Sequence, residues 1–417
     1  MHPIATDRNA LLRIVEGTVS ALQTPDPSSL VAAVATANVL TAEEVEAQRD
    51  AVVNALENSA RTLRLHGDLV SMTPTASAGA IREAPFIPED QVLSLMQSAI
   101  EEFMPENSLA TAGPFDPTDP GWVSVAWEKL KALFRGKHKF ITHTSLNSFQ
   151  LQLPEQATVA LFSDWGTGEE TAKRVMRQIA LQNPTHAIHL GDVYYSGTEK
   201  EIQHRFLDIL DAEGPSPASC LYLALNSNHE MYSGGHAYFE LTLKTRFHQE
   251  ASYFNLRNAH WQLIGLDSGY EDHGLKDPQR EWLVAQLGAS GPRNILLTHH
   301  QLFSPFESRA FDRKLHQKVE PLLGKVFAWF WGHEHRAIVY GKHKGIHARC
   351  IGHGAIPEDV PYGNPRFTDV PILKVDERQG PEGDNMHGFA LLRFNGSQLH
   401  VSYIDELGTT WFSEDLA

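Results

Sequence analysis

One stretch constrains the fold of this chain more than any other, the segment IHLGDVYYSG at residues 188–197. It begins with apolar residues typical of a buried strand and ends as a polar turn, with Asp192 at the carboxyl end of the strand. Ligands of open α/β sheets bind just outside the carboxyl ends of strands. Asp192 by itself is more typical of a structural turn, in which an aspartate caps the segment that follows.

Four other apolar runs end in polar side chains of similar kinds. The polar residues at the five strand ends are Asp164; Asp192 with Tyr195; Asn228 with His229 and Glu230; His299 with His300; and His333 with His335. A mixed set of carboxylate, amide and imidazole groups suits Fe, Mn and Zn rather than a soft metal bound by thiolates. Each end alone has a structural explanation, since an aspartate can cap a helix and neighbouring histidines are common. Their shared placement at strand ends predicts a metal site.

The number of these residues is explained by two metal ions. Ions held roughly 3.5–4 Å apart stabilise both the attacking and the leaving oxygen of a phosphoryl displacement. One carboxylate can bridge the ions through its two oxygens, so such a centre takes about seven ligands. His333 and His335 fit this plan, because alternate side chains of an extended chain point to the same side.

The composition limits the classes of partner. The chain has 417 residues, of which 42% are hydrophobic and 21% charged, and this predicts a globular protein with room for more than one domain. Its formal net charge of −16 argues against a broad surface for nucleic acid or anionic membrane. A bound phosphate group then needs a local positive charge, which a metal supplies. The two cysteines, Cys220 and Cys350, exclude a disulfide framework and leave one disulfide open.

The first 155 residues differ from the rest of the chain. Apolar periodicity predicts a mostly helical region, with helices near 41–65, 88–103 and 123–134 and a loop at 107–120. Thr41, three residues before Glu44, fits a capping box. This region carries no catalytic pattern, so packing on the rest of the protein and contact with a partner are both open roles.

Residues 156–417 alternate predicted strands, such as 157–162 and 337–340, with predicted helices, such as one near 198–210. We predict that these residues form the catalytic domain. A long segment rich in proline, glycine and aspartate, at 353–385, interrupts the last part of this domain. The sequence shows neither a secretion signal nor an apolar run of membrane-spanning length. We therefore expect a cytoplasmic protein without a transmembrane segment.

The ordered motifs resemble those of the calcineurin-like metallophosphoesterase superfamily, and they are most similar to those of the purple acid phosphatases. That family shows D-x-G, G-D-x-x-Y, G-N-H-[ED], V-x-x-H and G-H-x-H. The corresponding segments here are DWG at 164–166, GDVYY at 191–195, SNHE at 227–230, LLTH at 296–299 and GHEH at 332–335. Ser227 replaces a glycine and Leu296 replaces a valine, and neither change removes a ligand. The resemblance covers about residues 157–412.

The resemblance implies a four-layer α/β/β/α sandwich with two mixed sheets, which the mostly helical N-terminal region precedes. It implies that one ion is held by Asp164, Asp192, Tyr195 and His335, and the other by Asp192, Asn228, His299 and His333. His229 would be the catalytic residue that stabilises the transferring phosphoryl group and protonates the leaving oxygen. The phenolate of Tyr195 favours a trivalent ion, so the implied cofactors are Fe(III) with Fe(II), Mn or Zn.

The function implied by the resemblance is hydrolysis of phosphate esters, with phosphomonoesters preferred and a metal-bound hydroxide as the nucleophile. The alternative enzyme is a phosphodiesterase that acts on a nucleotide or a phospholipid head group, because substrate choice lies in loops such as 353–385. A non-catalytic binding module that keeps the fold is a third interpretation. His300 and His353 are weaker candidates for substrate binding, since His300 could cap a helix and His353 could be a turn residue between glycines. We expect Tyr194 to contribute only packing.

Overall fold

The computed structural model describes residues 8–23, 42–67, 88–103, 120–247, 249–288, 290–306, 309–367 and 370–417. The chain divides into two compact units, Met1–Gly136 with Tyr232–Gly234, and Lys137–Met231 with Gly235–Ala417. The division falls between residues 136 and 137, whereas the sequence predicts a domain boundary at 155/156. Residues 137–155 lie in the second unit, where a short strand at Gln150–Gln152 pairs with Phe254–Arg257.

The first unit is built from helices. They are α1 (Arg8–Gln23), α2 (Ala42–Gly67), α3 (Gln91–Phe103), α4 (Pro120–Leu130) and α5 (Ala132–Arg135). Their apolar faces meet in one core that includes Val15, Leu56 and Met96. The buried indole of Trp122 donates a hydrogen bond of 2.9 Å to Thr18 Oγ1 on α1. The helical character predicted for this region is confirmed, while Thr41 and residues 107–119 lie outside the described residues.

The second unit contains two mixed sheets. Its strands are β1 (Gln150–Gln152), β2 (Gln156–Phe162), β3 (His186–His189), β4 (Leu221–Ala224), β5 (Phe254–Arg257), β6 (Trp261–Gly265), β7 (Arg293–Thr298), β8 (Val326–Trp331), β9 (Ala337–Tyr340), β10 (His347–Ile351), β11 (Ile372–Val375), β12 (Gly388–Asn395), β13 (Gln398–Asp405) and β14 (Thr410–Asp415). The six-stranded sheet has the order β14-β13-β12-β2-β3-β4, and the eight-stranded sheet has the order β1-β5-β6-β7-β8-β10-β9-β11. Strands β2, β3 and β4 run parallel, as do β6, β7 and β8. The carboxyl ends of these strands therefore meet at one edge of each sheet.

Apolar side chains from both sheets share one core. Leu161 and Ile188 of the six-stranded sheet belong to the same buried cluster as Leu263, Leu297 and Phe330 of the eight-stranded sheet. The opposite faces of the strands pack under helices and helical turns: α6 (Glu170–Leu181), α7 (Glu199–Glu201), a π-helical segment (Ile202–Leu207), α8 (Asp208–Glu213), α9 (Asn228–Tyr232), a second π-helical segment (Tyr238–Thr242), α10 (Gln279–Leu287), α11 (Arg309–Val319) and a 3₁₀ helix (Glu320–Lys325). This is the layered α/β sandwich with two mixed sheets that the resemblance implied, and the predicted fold class is confirmed.

Two expectations about the chain as a whole can be compared with the structure. Cys220 and Cys350 are both free and buried, so the disulfide that the composition left open is not formed. Among the described residues, no helix combines the length and the apolar character that crossing a membrane requires.

Candidate metal centre

The predicted ligands follow the carboxyl ends of four parallel strands and open one short helix. Asp164 follows β2, Asp192 follows β3, His299 follows β7, His333 follows β8, and Asn228 is the first residue of α9 after β4. Three of them have positive φ angles, which are 54° at Asp164, 80° at Asp192 and 66° at His333. The left-handed region is uncommon for residues other than glycine and is concentrated at functional sites. The backbone strain therefore falls on the residues that the motifs single out.

One group of side chains surrounds the hydroxyl of Tyr194. This hydroxyl lies 2.7 Å from Asp192 Oδ2, 3.3 Å from Asp164 Oδ1 and 3.2 Å from His335 Nε2. The Nε2 atom of His335 in turn lies 3.7 Å from Asp164 Oδ1. We call Asp164, Asp192, Tyr194 and His335 the first ligand group. Two carboxylate oxygens, a phenol oxygen and an imidazole nitrogen thus converge within one small volume.

A second group surrounds the Nε2 atom of His299. This nitrogen lies 3.0 Å from Asn228 Oδ1, 3.3 Å from Asp192 Oδ1 and 3.3 Å from His333 Nδ1. We call Asp192, Asn228, His299 and His333 the second ligand group. Asp192 is common to both groups and directs Oδ2 to the first and Oδ1 to the second.

Gly191 permits the close approach that brings the two groups together. Its φ angle is 115°, and a Cβ atom at this position would lie 2.9 Å from His299 Nδ1 and 2.8 Å from Ser227 Cβ. Any other residue would push β3 away from β7 at the point where the ligands meet. The glycine before Asp192 is therefore a steric requirement of the site.

The first group has the electrostatics of a cation site. Asp164 and Asp192 are 0% and 1% exposed, and among the described residues neither forms an ion pair with a lysine or an arginine. Burial and the nearby charge of Asp192 raise the pKa of Asp164 well above its usual value. Burial disfavours a charged His335, but its hydrogen bond to Glu358 and the charge of Asp164 raise the pKa of this histidine to about 9. Buried carboxylates need a compensating positive charge, so this donor set fits a metal ion.

Hydrogen bonds from outside the two groups orient the imidazoles. His299 Nδ1 lies 3.2 Å from the carbonyl oxygen of Leu190, and His335 Nδ1 lies 3.2 Å from Glu358 Oε1. Histidines that ligate metals usually donate their second N–H to a carbonyl or a carboxylate in this way. In both rings Nε2 is then the nitrogen that faces the other ligands.

The structure does not bring the hydroxyl of Tyr195 into the first group. The ring of Tyr195 stacks against the Arg205 guanidinium, 5.1 Å from the ring centroid, and the charges that act on its hydroxyl come from Glu169 and Glu201. The two tyrosines lie in the turn after Asp192 and have different surroundings: the Tyr194 hydroxyl is 2.7 Å from Asp192 Oδ2, whereas the ring of Tyr195 packs on Arg205. The motifs imply Tyr195 as the metal ligand and leave Tyr194 to packing, whereas the structure places the hydroxyl of Tyr194 among the ligand atoms.

His229 lies beside the ligand groups. Its Nδ1 atom is 2.6 Å from the carbonyl oxygen of Tyr195, and its Nε2 atom is 4.0 Å from Asp192 Oδ2. Its ring packs against that of Tyr194, with 4.5 Å between the centroids. The hydrogen bond to Tyr195 fixes the ring so that Nε2 is on the side of the bridging carboxylate.

The two weaker candidates have different surroundings. His300 is buried beside His273 and His333, with ring centroids 3.9 Å and 4.8 Å away. His353 is also buried, but the charges that act on it come from Asp376, His387 and Arg378 rather than from the ligand groups. The structure therefore brings His300 next to the second group and does not bring His353 to either group.

Three residues that contribute to the site were not assigned to it from the sequence. Tyr194 was treated as packing, although it is one residue from the expected tyrosine. Glu201 accepts hydrogen bonds from the backbone N–H groups of Tyr195, Ser196 and Thr198, at 2.7, 3.2 and 2.9 Å, and so holds the turn after Asp192. Its capping-box pattern, Thr198 followed by Glu201, is visible in the sequence. Glu358 belongs to the long 353–385 segment, where no local pattern indicates its contact with His335.

Comparison with known proteins identifies the class. Residues 157–337 match the family model of the calcineurin-like phosphoesterases, and all five sequence motifs lie within this match. A curated relative, tartrate-resistant acid phosphatase type 5 of Homo sapiens, is 24% identical over 313 residues, which cover 63% of this chain and 93% of that protein. The resemblance to purple acid phosphatases is confirmed, and the protein is a metal-dependent phosphoester hydrolase.

Solved structures show weaker likenesses. A purple acid phosphatase from seeds of yellow lupin (Lupinus luteus) has 18% identity and a TM-score of 0.48, over 63% of this chain and 54% of that one. A dimetal phosphatase from Danio rerio has 14% identity and a TM-score of 0.43, over 63% of this chain and 98% of that one. This chain thus spans about half the length of the lupin enzyme. At these TM-scores neither likeness carries an argument about the site.

Proposed function

We propose that the protein hydrolyses phosphomonoesters at two metal ions that share Asp192. The observation that carries this proposal is the orientation of Asp192, whose Oδ2 lies 2.7 Å from the Tyr194 hydroxyl and whose Oδ1 lies 3.3 Å from His299 Nε2. A carboxylate with one oxygen in each ligand group is the arrangement that a bridged ion pair needs. The relative of Homo sapiens is an acid phosphatase by name, and this supports the preference for monoesters.

The first ion would be held by Asp164, Asp192, Tyr194 and His335, and the second by Asp192, Asn228, His299 and His333. The first set is rich in oxygen atoms, which suit hard ions. The second set contains two imidazoles, which are less selective and also suit softer divalent ions. We therefore propose Fe(III) in the first position and Fe(II), Mn or Zn in the second. When bound, the ions would supply Lewis acidity to the phosphoryl oxygens and lower the pKa of a water molecule.

One side chain of the protein is placed to move a proton. His229 is held by the carbonyl oxygen of Tyr195 with Nε2 directed towards Asp192. From this position Nε2 can donate a proton to the leaving oxygen, so we assign to His229 the role of general acid. The carboxylates of Asp164 and Asp192 repel the anionic ester unless cations neutralise them, so substrate binding depends on the metals.

The test is a substrate panel on the full-length protein. Nitrophenyl phosphate, bis-nitrophenyl phosphate and a nucleotide diester would be assayed after reconstitution with Mn and with Fe and Zn in turn. We expect the largest kcat/KM for the monoester, with activity lost on chelation and restored by metal. A larger kcat/KM for either diester would contradict the monoester preference and favour a phosphodiesterase. Absence of hydrolysis from a protein that retains its metals would favour a non-catalytic binding module.

A further inference from the structure

Three buried histidines form another ligand group beside the candidate centre. His273, His300 and His333 each offer one ring nitrogen, and these three atoms lie within 4.8 Å of one another. The side chains are 7%, 0% and 5% exposed, respectively. His333 also belongs to the second ligand group, whereas His273 and His300 belong to neither group of the proposed ion pair.

Outer hydrogen bonds select the nitrogen that two of these rings present. His300 Nδ1 lies 3.0 Å from Ser268 Oγ, and His273 Nδ1 lies 2.9 Å from Asp272 Oδ1. A second N–H donated to a carboxylate or another polar partner is the usual arrangement of metal-ligating histidines. Nε2 is then the nitrogen through which each ring would ligate. For His300 this nitrogen has no hydrogen-bond partner among the described residues, although the ring is fully buried.

The backbone that carries His273 is unusual as well. Asp272 and His273 have φ angles of 46° and 62°, so two successive residues other than glycine adopt the left-handed region. Such residues are uncommon and are concentrated at sites where a side chain must be held in one position. Here the strained turn brings the His273 ring to 3.9 Å from the ring of His300, measured between centroids.

We propose that His273, His300 and His333 bind a third divalent cation, with Zn²⁺ as the ion that suits them best. Three imidazoles with an open fourth position are an established ligand set for Zn²⁺. His333 can serve two ions, because its Nδ1 atom faces His299 at 3.3 Å and its ring has a second nitrogen on another edge. To ligate through both nitrogens the ring releases its N–H proton to solvent. Imidazole nitrogens are poor ligands for Mg²⁺ or Ca²⁺, which prefer oxygen.

The test counts ions and so does not depend on the proposed activity. Full-length protein would be stripped with a chelator and titrated with Zn²⁺, and bound zinc would be measured by mass spectrometry after dialysis. We expect three equivalents for the wild-type protein and two for His300→Ala and for His273→Ala. The matched control is His186→Ala, which removes a buried imidazole whose Nδ1 lies 2.8 Å from Thr185 Oγ1, and it should retain three.

Several outcomes would overturn the third site. Two equivalents of bound zinc in the wild-type protein would contradict the third site and remain consistent with the ion pair. One equivalent would contradict the ion pair as well. An unchanged count in both variants, with weaker binding of inorganic phosphate, would make the group an anion subsite. Loss of more than one ion from either variant would mean that His273 and His300 help to bind the ion pair and do not form a separate site. His300→Phe fills the buried volume without a ligand nitrogen, and it should lose one ion if the alanine variant fails to fold.

Discussion

The two ligand groups at the strand ends differ in the chemistry of their atoms. The first presents carboxylate oxygens of Asp164 and Asp192, a phenol oxygen and one imidazole nitrogen. The second adds to Asp192 an amide oxygen and two imidazole nitrogens, from Asn228, His299 and His333. Ion preference follows ligand type, with oxygen-rich anionic sets favouring harder and more highly charged ions. The groups therefore differ in the ion they should select, although they share one carboxylate.

The difference extends to the protons that the groups hold. In the first group burial and the charges of Asp192 and Asp164 keep the pKa of Tyr194 well above its usual value, and the pKa of His335 is raised to about 9. In the second group burial keeps the pKa of His299 well below its usual value. A cation entering the first group must displace protons that balance negative charge, whereas the second group offers neutral nitrogen at once. We expect metal binding to the first group to depend more steeply on pH.

The largest effect should come from the residue that the groups share. Asp192→Asn keeps the shape of the side chain and removes its charge, so both ions should be lost together and hydrolysis abolished. Bound metal measured after dialysis and kcat for nitrophenyl phosphate would check this. Asp267→Asn is the matched control, because Asp267 is a fully buried aspartate after β6 that belongs to neither group. Loss of only one ion from Asp192→Asn would show that the two groups bind independently.

His229 belongs to neither ligand group, so its loss should lower the rate of hydrolysis without changing the number of bound metal ions. General acids typically contribute about 10²–10⁴-fold to rate. His229→Ala should therefore retain both ions and lose activity within that range, since Nε2 of His229 lies 4.0 Å from Asp192 Oδ2 without completing either group. The loss should be smaller for nitrophenyl phosphate than for an alkyl phosphate, whose leaving oxygen needs the proton more. An equal loss for both esters would indicate that His229 positions the phosphoryl group instead.

The sequence predicted most buried strands of the second unit closely, because buried strands have a strong apolar pattern. The strand predicted at 337–340 is observed at Ala337–Tyr340, and the one predicted at 157–162 is observed at Gln156–Phe162. Strands β1, β5, β11 and β14 were missed. Gln150–Gln152 is short and polar, Phe254–Arg257 is only four residues long, and Ile372–Val375 and Thr410–Asp415 are edge strands with no buried residue. The predicted helix at 198–210 is interrupted by π-helical turns at Ile202–Leu207, which the apolar spacing does not reveal.

The site was less predictable than the secondary structure. Its contacts depend on which way a side chain points and on residues that are far apart along the chain. The motif spacing named Tyr195, but it could not show which of two adjacent tyrosines turns inward. Glu358 contacts His335 from 23 residues away, in a segment with no helical or strand periodicity. His273 lies in a turn and meets His300 only because β6 and β7 are neighbours in the sheet. Local sequence patterns predicted the site residues at strand ends but did not predict the site residues that lie in loops.

The adjacent tyrosines provide a matched pair that sharpens the comparison. A phenolate bound to Fe(III) gives a charge-transfer colour, so iron-loaded protein should be coloured. Tyr194→Phe should bleach this colour and weaken the first ion while the second ion is retained, because the Tyr194 hydroxyl lies only in the first group. Tyr195→Phe should keep both colour and iron. If instead Tyr195→Phe bleaches the protein and Tyr194→Phe does not, the motif spacing is right and the assignment made from the structure is wrong.

The smallest effect should come from the partner behind His335. Glu358 Oε1 accepts a hydrogen bond from His335 Nδ1 at 3.2 Å. In the second group the carbonyl oxygen of Leu190 accepts the corresponding bond from His299 Nδ1, and a side-chain substitution does not remove this backbone oxygen. Loss of such an outer partner typically costs about 10–100-fold in metal affinity. Glu358→Ala should therefore weaken the first ion by that factor and leave the affinity of the second unchanged, as measured by competition with a chelator. Glu382→Ala is the control within the same segment, because Glu382 pairs with Arg174 at 3.1 Å. Equal weakening of both ions by Glu358→Ala would mean that the segment acts on the centre as a whole rather than through His335.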